Sequence, residues 1–200
     1  MIHVIGESHA EIYGGFPNLF KSYIIPQATA HNLIEEHSTS NSNAKIKNIL
    51  NMIPATDPIM FVVGEIDCRV RIYHRYIKEE KIKTLEQYIE NTVDRYITYL
   101  LSLKREVAVL TVPPAGYYGA KEYPMYGSPE SRAYVSKTFN EVLLKRCGDE
   151  HITFIDIYDK IVLPNGLANP DYLKDHVHLN NKALQLIIVE LKKKNLIRGN

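Results

Sequence analysis

The sequence predicts an α/β fold, a mostly parallel sheet covered by helices on both faces, and three observations predict it. Short runs of β-branched and aromatic residues alternate with longer stretches in which apolar residues recur every three or four positions. The runs at 59–63 and 107–112 are continuously apolar, as strands buried on both faces read. Strand alternating with helix implies right-handed βαβ crossovers. The chain of 200 residues is read as one domain, 1–200, large enough for its own core.

Each element has its own signature. The first strand is the apolar run 2–5, which stops at Gly6. A second is expected around 23–25 or, alternatively, 28–33. A short helix is expected over 44–52. The apolar run 59–63 ends at Gly64, and 107–112 ends at Pro113-Pro114. Between those two strands, Thr84-Leu85-Glu86-Gln87 is a capping box. Leu85, Tyr88, Ile89, Val93, Tyr96, Ile97 and Leu100 then follow on one helical face. Ser128-Pro129 supplies an N-cap followed by Pro at the first helical position, with Val135, Phe139, Val142 and Leu143 turned inward. The last strand is expected over 152–157. Asn180 or Asn181 caps the last helix, whose buried stripe is Leu184, Ile187, Ile188 and Leu191.

Composition removes several function classes. Apolar residues make up 45% and charged residues 24%, ordinary for a globular domain, and the net charge of +1 gives no electrostatic case for nucleic acid or an anionic membrane. Lys192-Lys193-Lys194 reads as the solvated end of a helix. Cys68 and Cys147 stand in no Cys/His pattern, so neither a metal site nor a disulfide framework is expected, and Cys68 reads as a small buried hydrophobe. No run reaches 18 apolar residues and no basic leader precedes the first strand, so a cytoplasmic protein with no membrane span is expected. Oligomeric state is not legible.

In a parallel sheet, ligands bind outside the carboxyl ends of the strands. That rim would collect Ser8 after the first strand, Asp67 after the run 59–63, the loop 113–127, and Asp175 and His178 before the last helix. Ser8, His178 and Asp175 are the residue types that make a hydroxyl nucleophilic: the imidazole takes its proton and the carboxylate fixes the imidazole tautomer. Alone, each has an ordinary structural reading as a turn serine, a packed histidine or a loop acid. Their order and spacing turn them into a constellation.

Taken together, Gly6-Glu7-Ser8-His9, Gly64-Glu65-Ile66-Asp67 and Asp175-His176-Val177-His178 resemble the first, third and fifth conserved blocks of the SGNH (GDSL-like) hydrolases, in order and spacing across the whole chain. The resemblance implies a three-layer α/β/α sandwich on a five-stranded parallel sheet, a catalytic triad of Ser8, His178 and Asp175, and no cofactor. It also implies an oxyanion hole made of the nucleophile's N–H, a glycine N–H and an asparagine side chain. This chain departs from that pattern. Glu7 stands for the usual Asp, there is no glycine between Gly15 and Gly64, and Ile66 replaces the asparagine and cannot donate. The nearest counterpart of the missing glycine block is 26–30. Arg69 is the candidate substitute donor, although Glu65 with Arg69 or Arg71 also reads as a plain salt bridge.

Further candidates for the oxyanion and substrate are His9, Asp67 and Tyr117. Asp67 reads equally as a strand-end carboxylate accepting backbone N–H bonds. His176 reads as a bystander. The loop 113–127 carries three Gly, three Pro and four Tyr (Tyr117, Tyr118, Tyr123, Tyr126), either to pin itself down or to wall a pocket. The expected function is a serine ester hydrolase acting on a small-molecule or glycan ester. An O-acetyltransferase with the same triad, or a non-catalytic binding domain, is the alternative.

Overall fold

The computed structural model describes residues 1–118 and 123–197. Five parallel strands, β1 (Ile2–Gly6), β2 (Phe20–Ile24), β3 (Ile59–Val62), β4 (Val107–Leu110) and β5 (Thr153–Ile155), lie in the order β2-β1-β3-β4-β5. Six helices accompany them: α1 (Ser42–Met52), α2 (Ile72–Lys78), α3 (Leu85–Ser102), α4 (Pro129–Asp149), α5 (Tyr158–Ile161) and α6 (Asn181–Lys193). The expected α/β fold with a five-stranded parallel sheet is what forms.

Side chains on a strand alternate between faces, and the three central strands divide their apolar residues accordingly. Ile5, Ile59, Phe61, Val107 and Val109 join one core with Ile46 of α1, Val93 of α3 and Phe139 of α4. Val4, Met60, Val62, Ala108 and Leu110 join a second core with Ile161 of α5 and Leu184 and Ile187 of α6. Ala10 and Tyr13, from a 3-10 helix over Ser8–Gly15, belong to that second core. Two cores on one sheet make three layers, and they explain why β3 and β4 are apolar without alternation. Among the described residues no helix is long and apolar enough to cross a membrane.

The second strand lies at 20–24, overlapping the first of the two expected positions, while 28–33 holds a 3-10 turn, Ala30–Asn32. β2 is an edge strand with only Phe20 fully buried, so its apolar signal is weak. The capping box at Thr84 forms as expected, with Thr84 Oγ1 accepting from Gln87 N–H and the Gln87 side chain accepting from Thr84 N–H. One stretch was not anticipated. After β3 the chain turns straight into a wide π-type helical turn, Asp67–Arg71, continuous with α2.

The strand order reverses at β1, since the chain steps outward to β2 and then returns past β1 to β3. Connections on either side of β1 and β3 leave in opposite directions, which opens a crevice at the carboxyl ends of those two strands. Ser8 and Glu65 stand there.

Candidate active site

Gly6 is required by close approach rather than by conformation. A Cβ at this position would lie 2.2 Å from the Val62 carbonyl oxygen of β3. That close approach lets the chain end its pairing tightly, with Glu7 N–H donating to Val62 O (3.3 Å) and Gly6 O accepting from Ile25 N–H (2.7 Å). Ser8 follows at once as the first residue of the 3-10 helix, where its N–H has no intrahelical acceptor.

His178 and Asp175 sit on a short loop tied at its base. Leu173 pairs with Leu179 in an antiparallel bridge, Lys174 N–H donates to His178 O (2.8 Å), and the Asn180 amide donates to Asp171 O and Leu173 O. Asn180 also caps α6 by accepting from Lys182 and Ala183 N–H. At the tip, Asp175 Oδ1 accepts from Val177 N–H (2.7 Å) and His178 N–H (2.8 Å). Asp175 Oδ2 faces His178 Nδ1 at 2.8 Å, and His178 Nε2 faces Ser8 Oγ at 2.8 Å. Burial works to raise the Asp175 pKa, but the two backbone donors and the imidazole outweigh it and hold the carboxyl below its ordinary value. Ser8, His178 and Asp175, 170 residues apart at the extremes, thus form one continuous hydrogen-bonded line.

Ser8 has a second partner. Its hydroxyl lies 3.0 Å from Glu7 Oε2, which also accepts from His9 N–H (3.0 Å) and faces His9 Nδ1 (3.1 Å). The other ring nitrogen, His9 Nε2, is 3.1 Å from Val177 O. Burial favours neutral His9, yet Glu7 and Glu65 beside it outweigh that and push its pKa up to about 9. Glu7, opposed by its own burial, is held below its ordinary value chiefly by His9.

The other predicted residues fall elsewhere. Asp67 is fully buried with its carboxylate turned to backbone, accepting from Ala30 N–H (2.6 Å) and His31 N–H (3.3 Å). Burial pushes its pKa up to about 6 against those donors. It fastens the loop 26–30 to the end of β3 and does not line the cleft. Arg69 takes the salt-bridge alternative: Nε donates to Glu65 Oε1 (2.6 Å) and Nη1 to Pro124 O (2.6 Å), and the side chain borders a small cavity with Pro113, Met125 and Arg132. The reason is the helical turn after β3, which puts Glu65 and Arg69 at i, i+4 on one face. Tyr117 is exposed and its ring meets Tyr118 edge-on, not the triad. Cys68 is buried, and burial raises its thiol pKa well above the ordinary value, as suits a packed hydrophobe.

Two contributors were not singled out in sequence. Tyr123, one of four tyrosines in its loop, stands edge-on to His178 with ring centroids 4.9 Å apart. Glu7 takes part because its extra methylene lets the carboxylate fold back onto Ser8 and His9. The loop that carries Tyr123 is held at its stems by buried Arg132, which donates to Gly116 O (3.1 Å), Tyr117 O (3.0 Å) and Gly127 O (2.6 Å). Asn140 of α4 locks the end of β4 by bonding both Val112 N–H and Val112 O.

A cleft of about 430 Å³ opens in front of Ser8 and His178, between the 3-10 helix and the start of α6. Ile12 and Leu179 give it an apolar side, and Glu11, Lys174, Asn180 and Asn181 a polar one.

No protein-family model and no curated protein sequence matches the chain. Solved structures do. A candidate acylhydrolase from Bacteroides fragilis superposes with a TM-score of 0.66 at 18% identity, covering 98% of this chain and 88% of that one. A GDSL-like lipase from Bacteroides thetaiotaomicron gives 0.65 at 17% identity, covering 96% and 86%. An acetylxylan esterase from Geobacillus stearothermophilus, solved as a catalytic mutant, gives 0.56 at 12% identity, covering 100% and 96%. Sheet order, layering and these likenesses over nearly the full length together establish that the chain has the fold of the SGNH (GDSL-like) hydrolases.

Proposed function

We propose that the chain is a serine ester hydrolase in which Ser8 is the nucleophile, His178 the general base and acid, and Asp175 the residue that orients it. The observation that carries this reading is the line Ser8 Oγ–His178 Nε2–Asp175, with both links at 2.8 Å. Asp175 keeps the proton on Nδ1, which leaves the Nε2 lone pair facing the hydroxyl. As Ser8 Oγ attacks the ester carbonyl carbon, its proton passes to Nε2 and the carbonyl oxygen becomes an oxyanion. The Ser8 N–H, at the start of the 3-10 helix and with no acceptor among the described residues, is the donor this chain offers to that oxygen. The tetrahedral intermediate collapses, His178 gives its proton to the departing alkoxide, and Ser8 is left acylated. Water, or a second hydroxyl in an acyl transfer, then loses a proton to His178 and attacks the same carbon; the bond to Ser8 Oγ breaks, His178 returns that proton to Oγ, and the acid or new ester leaves.

The substrate supported best is a short-chain, acetyl-type ester of a polyhydroxylated compound such as a glycan. The cleft offers carboxylate, ammonium and amide groups able to bond hydroxyls, and two of the structures it resembles are acetylxylan esterases. A fluorophosphonate probe should label the wild-type protein and not Ser8→Ala, and p-nitrophenyl acetate should be cleaved faster than p-nitrophenyl octanoate. Faster octanoate cleavage would move the substrate to lipids. Ile66, which cannot complete an oxyanion hole, favours a second reading as a binding domain. Folded wild type that neither labels nor turns over acetate would establish that reading instead.

A further inference from the structure

Buried Glu7, His9 and Glu65, continued by half-buried Arg69, form a row of alternating charge beneath Ser8. Glu7 is 1% exposed, His9 4% and Glu65 8%. One ligand-type atom from each of Glu7, His9 and Glu65 lies within 4.8 Å of the others. Such a trio could be read as a metal site, but His9 has no lone pair left for an ion. Its Nε2 faces a backbone carbonyl, which only accepts, and its Nδ1 faces a carboxylate that already accepts from His9 N–H and lies next to the Ser8 hydroxyl. Both ring nitrogens thus face oxygen acceptors, the arrangement that suits an imidazolium. Glu65 continues the row to Arg69, and Arg69 reaches Pro124 O, next to Tyr123 over His178.

We propose that His9 is a positioning residue, protonated at neutral pH, with two tasks, to fix the backbone that carries His178 and to keep Glu7 from capturing the Ser8 proton. This rests on the reading of Ser8, His178 and Asp175 as a triad. The first task follows from the Val177 peptide, whose N–H is held by Asp175 and whose carbonyl is held by His9, so the residue preceding His178 is pinned at both ends. The second follows from counting protons. The Ser8 hydroxyl has one hydrogen and two acceptors, His178 Nε2 at 2.8 Å and Glu7 Oε2 at 3.0 Å. A bare buried carboxylate would be the stronger acceptor and would turn the hydroxyl away from its base. With Glu7 neutralised by two bonds from His9, the hydrogen goes to His178. The charged and titratable groups facing His9 are Glu7 on its own segment, Glu65 from the end of β3 and His178 from the loop before α6, with ring centroids 4.9 Å apart. Glu11 and Lys174 stand at the cleft it borders.

The test compares His9→Gln with Glu7→Gln/His9→Gln in fluorophosphonate labelling rate and in kcat and KM for p-nitrophenyl acetate. His9→Gln should lose about a hundredfold in kcat at nearly constant KM, the scale of a misaligned reacting group. The double variant, which removes the competing carboxylate, should recover about tenfold of that loss. A double variant no faster than His9→Gln overturns the proposal while leaving the triad intact. A wild type that does not label at all overturns the triad and this proposal with it. Because these variants can fail to fold, 15N NMR of the histidine rings in the wild-type protein gives an independent reading. His9 should show two protonated nitrogens at pH 7.5, and a neutral His9 there sinks the idea.

Discussion

Asp175–His178 and Glu7–His9 are the same chemical pair, a carboxylate against an imidazole, and both touch the hydroxyl of Ser8. They differ in what the far side of each imidazole meets. His178 meets a hydroxyl, which can give a proton as well as take one, and its side chain is 13% exposed at the cleft. His9 meets a peptide carbonyl, which can only accept, and its side chain is 2% exposed. The difference teaches that a carboxylate–imidazole pair acquires its role from the third group. A donor–acceptor such as Ser8 equips the imidazole to carry a proton, whereas a carbonyl in a dry site favours the imidazolium at neutral pH.

Removing the shared hydroxyl is the largest perturbation of this comparison. Ser8→Ala should lower kcat for p-nitrophenyl acetate by about 10⁶, as removal of a nucleophile from a working triad does. Activity within tenfold of wild type would dismiss both pairs from catalysis. Substituting the two carboxylates then separates them. Asp175→Asn should cost about 10⁴ in kcat through the wrong imidazole tautomer, with little loss of stability because the site is partly open. Glu7→Gln should instead show its main effect in unfolding, about 3 kcal/mol, because it strands a buried cation. Urea melts and acetate kinetics on both variants read the contrast, and equal stability losses would erase it.

The pairs should also differ in the pH dependence of stability. His9 has a folded pKa of about 9, above its ordinary value of 6.5. Its contribution is therefore complete below about pH 6.5 and is lost as pH rises through 9. Asp175 is held below its ordinary 3.8, so its contribution is present above that value and is lost only on further acidification. Glu7, also lowered, follows the acid side. Urea midpoints should fall between pH 7.5 and 10 in wild type and much less so in His9→Gln. A fall of the same size in that variant would assign the alkaline loss to other groups.

The same contrast marks what the sequence could reveal. That Ser8, Asp175 and His178 would meet was legible, because each lies on a strand end or loop whose place follows from the order of apolar runs. Strands β3 and β4 were legible because burial on both faces leaves continuous apolar runs, and β1 reads the same way apart from buried His3. β2 gave a weaker signal, since an edge strand with one fully buried residue resembles a loop. Helix α2 was missed because only Ile72 in it is buried, which leaves almost no apolar period. For Arg69 the sequence left two readings open, and the helical turn after β3, which carries no apolar period, is what gives the i, i+4 pair with Glu65 its shared face. Nothing in local pattern distinguishes Tyr123 from its three neighbours, because its contact with His178 depends on how Arg132 and Arg69 hold the loop.

The smallest effect tests how far the buried row reaches. Tyr123 stands edge-on to His178, and Arg69 fixes the next residue through Pro124 O. An edge-to-face contact is worth about 1 kcal/mol, so Tyr123→Ala should slow acetate turnover roughly fivefold. Tyr123→Phe should keep the wild-type rate, because the ring and not the hydroxyl meets the imidazole. Arg69→Ala should match Tyr123→Ala if the row acts through that ring. Combining the two should cost little more than either alone, since both remove one interaction. Additive losses would instead mean that Arg69 and Tyr123 act separately, and the row would end at Glu65. Tyr117→Ala is the internal control: its ring meets Tyr118 and not the triad, so turnover should stay within about twofold of wild type, in the range of a surface substitution.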